Sequence, residues 1–261
     1  MKNNYFDNTI ATKLHNREKV SAAWVQTGSN ITAEIFGEAG FDMIVIDSEH
    51  SQTTLPGIVS MMQAIKGTGC VPIVRAPWND MVAIKQILDC GAHAIHIPYI
   101  STKKEADYAV QCCKYAPSGI RGIAGSQRAL TYGKNKADYY SRANQDIIVM
   151  IAIETYEGVN NIEEIVQVDG LDGIFIGPAD LSTSMGFLGD SSAPEVQKAI
   201  RHIEKIVIPS DKFLGTVAPN MEKAIQMYNR GYTLLYTLSD TTGLMNLALN
   251  QVKVFKEHYG K

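Results

Sequence analysis

In Gly40-Phe-Asp-Met-Ile-Val-Ile-Asp-Ser-Glu-His-Ser51, an apolar run rich in β-branched side chains, 43–46, stops abruptly at Asp47, Ser48, Glu49 and His50. A run this short and this apolar reads as a strand buried on both faces. The polar cluster is what such a strand delivers at its C-terminal end, where α/β enzymes keep their chemistry.

The same arrangement recurs on both sides of it. Strands are expected at 20–25, 43–46, 71–75, 93–97, 147–153, 173–176, 213–217 and 233–238. Helical patterns follow them: from Ser29 or Asn30 to the stop at Gly40, then 55–66, 81–89, 102–115, 137–143, 159–168, 195–207, 221–229 and 241–258. In 55–66, Leu55, Ile58, Val59, Met62 and Ile65 recur at helical spacing, an apolar face suited to lie against a sheet. Eight strand–helix alternations close a (β/α)8 TIM barrel, a single domain over residues 1–261. An open doubly wound sheet uses fewer strands and usually carries a glycine-rich fingerprint after the first. Neither GxGxxG nor GxxxxGK[ST] occurs, so nucleotide binding has no support.

Bulk properties agree with one barrel, a fold that commonly runs to about 250 residues. The 24 Lys and Arg against 27 Asp and Glu leave a net charge of -3 with no basic run, which argues against nucleic acid and makes small molecules the default partner. Four cysteines without CxxC spacing read as buried hydrophobes in a reducing compartment. Residues 1–8 are polar, and no run of about 18 apolar residues occurs, so a membrane is not expected and a cytoplasmic location is. One long irregular stretch, 117–136, holds Gly119, Gly122, Gly125, Gly133, Arg121 and Arg128. Loops of that length are often functional, and this one reads as a site lining or as a surface excursion.

Under the barrel reading, Asp47, Glu49, His50, Arg75, Glu154 and Asp180 all end strands at one mouth. Glu154 and Asp180 come from adjacent strands and could share a hard divalent cation such as Mg²⁺ or Mn²⁺, most of whose ligands would be water or substrate. The plain alternative is two acids kept apart by solvent or salt bridges. His50, three residues beyond Asp47, makes an acid/base dyad with it. Arg75 follows apolar residues, where a charge is costly unless an anion awaits it; a carboxylate or enolate serves, or an internal salt bridge to Asp47 or Glu49. The remaining histidines, His15, His93, His96, His202 and His258, read as bland.

Phe41-Asp-Met-Ile-Val-Ile-Asp-Ser-Glu-His50, Pro72-Ile-Val-Arg75, Gly119-Ile-Arg-Gly122, Ile153-Glu-Thr155 and Gly173-Ile-Phe-Ile-Gly-Pro-Ala-Asp-Leu-Ser182, in this order, resemble the HpcH/HpaI aldolase family, the class II metal-dependent pyruvate aldolases. The resemblance is close over about 20–217. It implies a homo-oligomeric barrel, hexamer or trimer, whose final helix, 241–258, packs on a neighbouring subunit. It also implies a divalent metal (Mg²⁺ or Mn²⁺, or Co²⁺) on Glu154 and Asp180, Arg75 as enolate stabiliser, and His50 with Asp47 as acid/base pair. The backbone of Gly177 and Ala179 would hold the pyruvate carboxylate beside Arg75. Two departures stand out: Ala152 where close aldolases have Gln, and Leu238-Ser-Asp240 in place of Gly-Ser-Asp or Gly-Val-Asp. The implied activity is cleavage or formation of a 4-hydroxy-2-oxo acid through a pyruvate enolate, with an aldehyde as the other partner. Rival readings are an oxaloacetate decarboxylase using the same site and a catalytically silent barrel that binds a 2-oxo acid.

Overall fold

The computed structural model of the protein describes residues 9–260; residues 1–8, the polar stretch that entered the expectation of location, lie outside them. Eight strands, β1 (Val20–Val25), β2 (Met43–Asp47), β3 (Val71–Arg75), β4 (Ala94–Ile97), β5 (Ile148–Ile153), β6 (Gly173–Ile176), β7 (Phe213–Val217) and β8 (Leu234–Ser239), close in sequential order. Every neighbouring pair is parallel, and β8 returns to β1. This is the expected (β/α)8 barrel.

Twelve α-helices are described: α1 (Thr9–His15), α2 (Asn30–Glu38), α3 (Leu55–Ala64), α4 (Met81–Asp89), α5 (Lys103–Cys113), α6 (Lys136–Asp146), α7 (Tyr156–Asn160), α8 (Ile162–Ile165), α9 (Pro178–Ser184), α10 (Pro194–Val207), α11 (Met221–Arg230) and α12 (Asp240–Tyr259). Local signals set several boundaries. Ser29 caps α2 through Thr32 N, Asp80 caps α4, and Thr102 with Glu105 forms a capping box on α5.

Strand alternation divides the apolar residues into two cores. Met43, Val45, Ile73, Ala94, Met150, Ala152, Phe175 and Tyr236 fill the barrel, while Ile44, Ile46, Val74, Ile95 and Ile151 face the helices. Ile10 and Leu14 of α1 join the inner core and close the barrel's N-terminal end, a role the sequence did not announce. The helix expected at 159–168 is instead two short ones, because Thr155 caps a turn that starts earlier and the chain bends at Asn161. An extra residue in β8 shifts its register on β1: Ala22 faces Tyr236, but Ala23 faces Leu238 and Trp24 faces Ser239.

The glycine-containing stretch 117–136 is held away from the mouth of its own barrel. Arg121 is buried, pairs with Asp89 at the end of α4 and stacks on Tyr115; Arg128 donates to Cys90 O. Helix C-termini lie at the barrel's N-terminal end, so both arginines pin the loop there rather than over the strand tips. Among the described residues no helix is long and apolar enough to cross a membrane. Cys70, Cys112 and Cys113 are buried, and burial pushes the Cys70 and Cys113 thiols up to about 12.

Candidate active site

Asp47 and Arg75 sit side by side because β2 and β3 are in register at those residues. Arg75 Nε and Nη2 donate to Asp47 Oδ1 and Oδ2 at 2.9 and 2.7 Å, a bidentate pair, and Nη1 lies 3.0 Å from Glu49 Oε2. Two of the five guanidinium N–H groups thus donate to Asp47, while Glu49 Oε2 is paired with Arg75 by charge and accepts no hydrogen bond among the described residues. Burial works against both charges. The hydrogen bonds and charge of Arg75 nevertheless hold the Asp47 carboxyl below its ordinary value, helped by the Glu49 and His50 backbone N–H groups. Arg75 is held protonated in turn by Asp47 and Glu49.

The expected acid/base dyad is not what this geometry builds. Asp47 receives the backbone N–H of His50, not its imidazole; the ring is exposed, and its Nε2 lies 3.8 Å from Glu49 Oε2. Both Asp47 oxygens accept instead from the Arg75 fork. The internal salt bridge raised as the alternative for Arg75 is therefore present, to both acids.

Across the mouth, Glu154 ends β5 and is buried, with Oε1 accepting from Tyr99 N at 2.8 Å. Tyr99 adopts a left-handed φ of 61°, a conformation uncommon for a residue with a Cβ. Burial first, then the charges of Asp180 and Glu49, push the Glu154 carboxyl up to about 7 against the opposing Tyr99 hydrogen bond. Glu49 is likewise raised by burial and neighbouring acids, against Arg75. Gly177, between β6 and α9, fits because a Cβ there would lie 2.3 Å from Glu154 Oε2. Ala179 and Asp180 follow in the exposed first turn of α9, whose backbone N–H groups lack intrahelical acceptors. The charge of Asp180 thus reaches Glu154, and a pair of neighbouring carboxylates is a donor set that suits a hard divalent cation. The two buried lysines, Lys114 and Lys212, precede β5 and β7 at the opposite end of the barrel; Lys114 donates to Asn144 O and Ile147 O.

The floor of the site was not foreseen. Arg75 stacks over Trp24, its Cζ 4.4 Å from the ring centroid. Trp24 meets Tyr236 edge-on at 5.0 Å, Tyr236 packs on Phe175, and its hydroxyl is 3.3 Å from His96 Nδ1. Burial and the Arg75 charge hold His96 neutral. Strand alternation, which makes Trp24, His96 and Tyr236 inward like Ala22, Ala94 and Leu234, was the available signal. Ala152 is likewise buried in this inner core.

The family model of the HpcH/HpaI aldolase/citrate lyase family matches residues 21–246. The chain is 38% identical over 240 residues to a 5-keto-4-deoxy-D-glucarate aldolase of Escherichia coli (strain K12 / DH10B), covering 92% of this chain and 93% of the relative. A solved HpcH/HpaI aldolase/citrate lyase family protein from Burkholderia cenocepacia J2315 superposes with a TM-score of 0.91 at 30% identity, covering 95% of this chain and 99% of that one. An HpcH/HpaI aldolase from Desulfitobacterium hafniense DCB-2 gives 0.87 at 28% identity, over 94% and 96%. Sequence and barrel are thus matched along nearly the whole chain, which belongs to the HpcH/HpaI aldolase/citrate lyase family.

Proposed function

We propose that the protein is a divalent-metal-dependent class II aldolase that cleaves a 4-hydroxy-2-oxo acid to pyruvate and an aldehyde, or joins them. The observation that carries this reading is the opposition, across one mouth, of the acidic pair Glu154 and Asp180 and a buried arginine that Asp47 holds by two hydrogen bonds. The family's aldolases depend on a divalent metal. Held by Glu154 and Asp180, such an ion, Mg²⁺, Mn²⁺ or Co²⁺, supplies Lewis acidity toward the 2-oxo group.

The chain's residues do the rest. Arg75, fixed by Asp47, would stabilise the oxygen on which charge develops as C3–C4 breaks. Exposed His50 is the group to take the proton of the 4-hydroxyl and to return it in the synthetic direction, with Glu49 as its nearest carboxylate. First-turn N–H groups after Gly177, at Ala179 and Asp180, serve the pyruvate carboxylate. The placement of Lys114 and Lys212 away from the mouth agrees with a cation, rather than a Schiff base, as electron sink.

The relative's name supplies a first substrate to try. A 5-keto-4-deoxy-D-glucarate carries its keto group, methylene and hydroxyl in the order of a 4-hydroxy-2-oxo acid counted from the other end. α12 further supports an assembly of copies, since Leu244, Leu247 and Phe255 are exposed and Asp240 is the buried residue on it. We place α12 against a neighbouring subunit of a homo-oligomer, hexamer or trimer.

Exchange of the pyruvate methyl protons with D2O, followed by NMR, tests the reading without knowledge of the aldehyde. Exchange that disappears with EDTA and returns with Mg²⁺ or Mn²⁺ is expected, and Glu154→Ala or Asp180→Ala should abolish it. Exchange indifferent to metal, or surviving in either variant, would remove the assignment.

A further inference from the structure

Gln26 follows β1 and was assigned nothing by its sequence context, yet its side chain joins two parts of the molecule. Its Nε2 donates to Asp47 Oδ2 at 3.3 Å, and its Oε1 accepts from Ser239 Oγ at 2.9 Å and Thr241 Oγ1 at 3.0 Å. The orientation of the amide is fixed by chemistry: the ionised Asp47 only accepts, whereas hydroxyls can donate. The main chain is held as well, with Gln26 N and Thr27 N donating to Asp240 Oδ1 and Oδ2 at 2.9 and 3.1 Å. The extra residue in β8 contributes, because it places Ser239 opposite Trp24, two residues from Gln26.

We propose that Gln26 is a positioning residue of the enolate site, bracing Asp47, and through it the Arg75 fork, against the first turn of α12. The inference rests on the aldolase reading, in which Arg75 faces the enolate. Asp47 has no exposed surface, so water does not replace a lost Gln26 donor at Oδ2. With only Arg75 Nη2 left on that oxygen, the carboxylate turns toward its Oδ1 partners and the fork turns with it. The cost falls where Arg75 meets developing charge, so kcat suffers rather than ground-state binding.

The test compares metal-dependent pyruvate proton exchange in the full-length protein with that in Gln26→Leu, in Ser239→Ala/Thr241→Val, and in the triple variant. Gln26→Leu should lose about tenfold in kcat, the scale of one hydrogen bond to a charged group, with KM for pyruvate within about twofold of the unaltered value. The hydroxyl variant should lose less, and the triple variant no more than Gln26→Leu alone, because all act through one amide. Unchanged kcat in a folded Gln26→Leu protein, a loss confined to KM, or losses that multiply in the triple variant would overturn the inference. Should circular dichroism show Gln26→Leu unfolded, the hydroxyl variant decides, a several-fold fall in kcat supporting the brace and an unchanged kcat refuting it. Exchange in the unaltered protein separates the two readings. Its absence with every cation removes the aldolase reading and this inference together, whereas exchange that all variants retain removes only the inference.

Discussion

Glu154 is a carboxylate that the fold makes reluctant to ionise, held at about 7 by burial, Asp180 and Glu49. Because its folded value lies above the ordinary 4.5, the metal-free fold binds this proton more tightly than the unfolded chain does. Stability attributable to it is therefore full below about pH 4.5 and falls as pH rises to about 7, by on the order of 3 kcal/mol, with no further loss above that. A bound cation reverses the preference. Divalent-metal affinity measured by calorimetry should drop about tenfold per pH unit below about 7 and level off above it, and a flat profile would show that Glu154 is not a ligand. Arg75→Ala leaves Asp47 buried without its partner and should cost about 3–5 kcal/mol in urea unfolding; a cost under about 1 kcal/mol would mean that the pair is not desolvated as described. The strand-end residues were legible because a charge closing an apolar run is visible in one dimension. Their partnerships were not: Asp47 meets Arg75 and Gln26 only through register between strands, so the proposed bond to His50, three residues away, lost to a guanidinium 28 residues away.

Among the elements, apolar strands such as β2 and β5 left little room for error, since every residue in them is buried and a polar residue follows each. Elements shaped by tertiary contact were harder to read. α1 has only seven residues and too little periodicity to announce itself, and its burial depends on the barrel end that receives Ile10 and Leu14. The extra residue in β8 leaves no mark in composition, although it moves the strand's end to Ser239. Leu14 offers a test of the plug. Its side chain is 1% exposed in the inner core, so Leu14→Ala should cost about 2–5 kcal/mol of unfolding free energy while leaving kcat for pyruvate exchange unchanged. A loss of kcat without a loss of stability would instead tie α1 to the chemistry at the far end of the barrel.

At the scale of the whole molecule, the barrel satisfies itself: closure removes sheet edges, and the inner and outer cores bury the strands on both faces. α12 does not fit that account. It is a 20-residue helix with exposed apolar side chains along its length, including Leu244 at 67% and Phe255 at 63%, whereas a helix facing water normally turns its apolar residues inward. A second copy of the chain is the occupant proposed for it, and substitution separates that reading from a solvated helix. Leu244→Glu with Phe255→Glu removes apolar surface that touches little of the monomer, so monomer stability should change by less than about 0.5 kcal/mol. Light scattering should then show a smaller assembly than that of the unaltered protein. If Gln26 braces Asp47 against the first turn of the same helix, the smaller species should also exchange pyruvate protons more slowly, since that turn loses the contacts that seat it. An unchanged mass would leave α12 a solvated appendage, and an unchanged exchange rate in a smaller species would confine the brace to the helix's first turn.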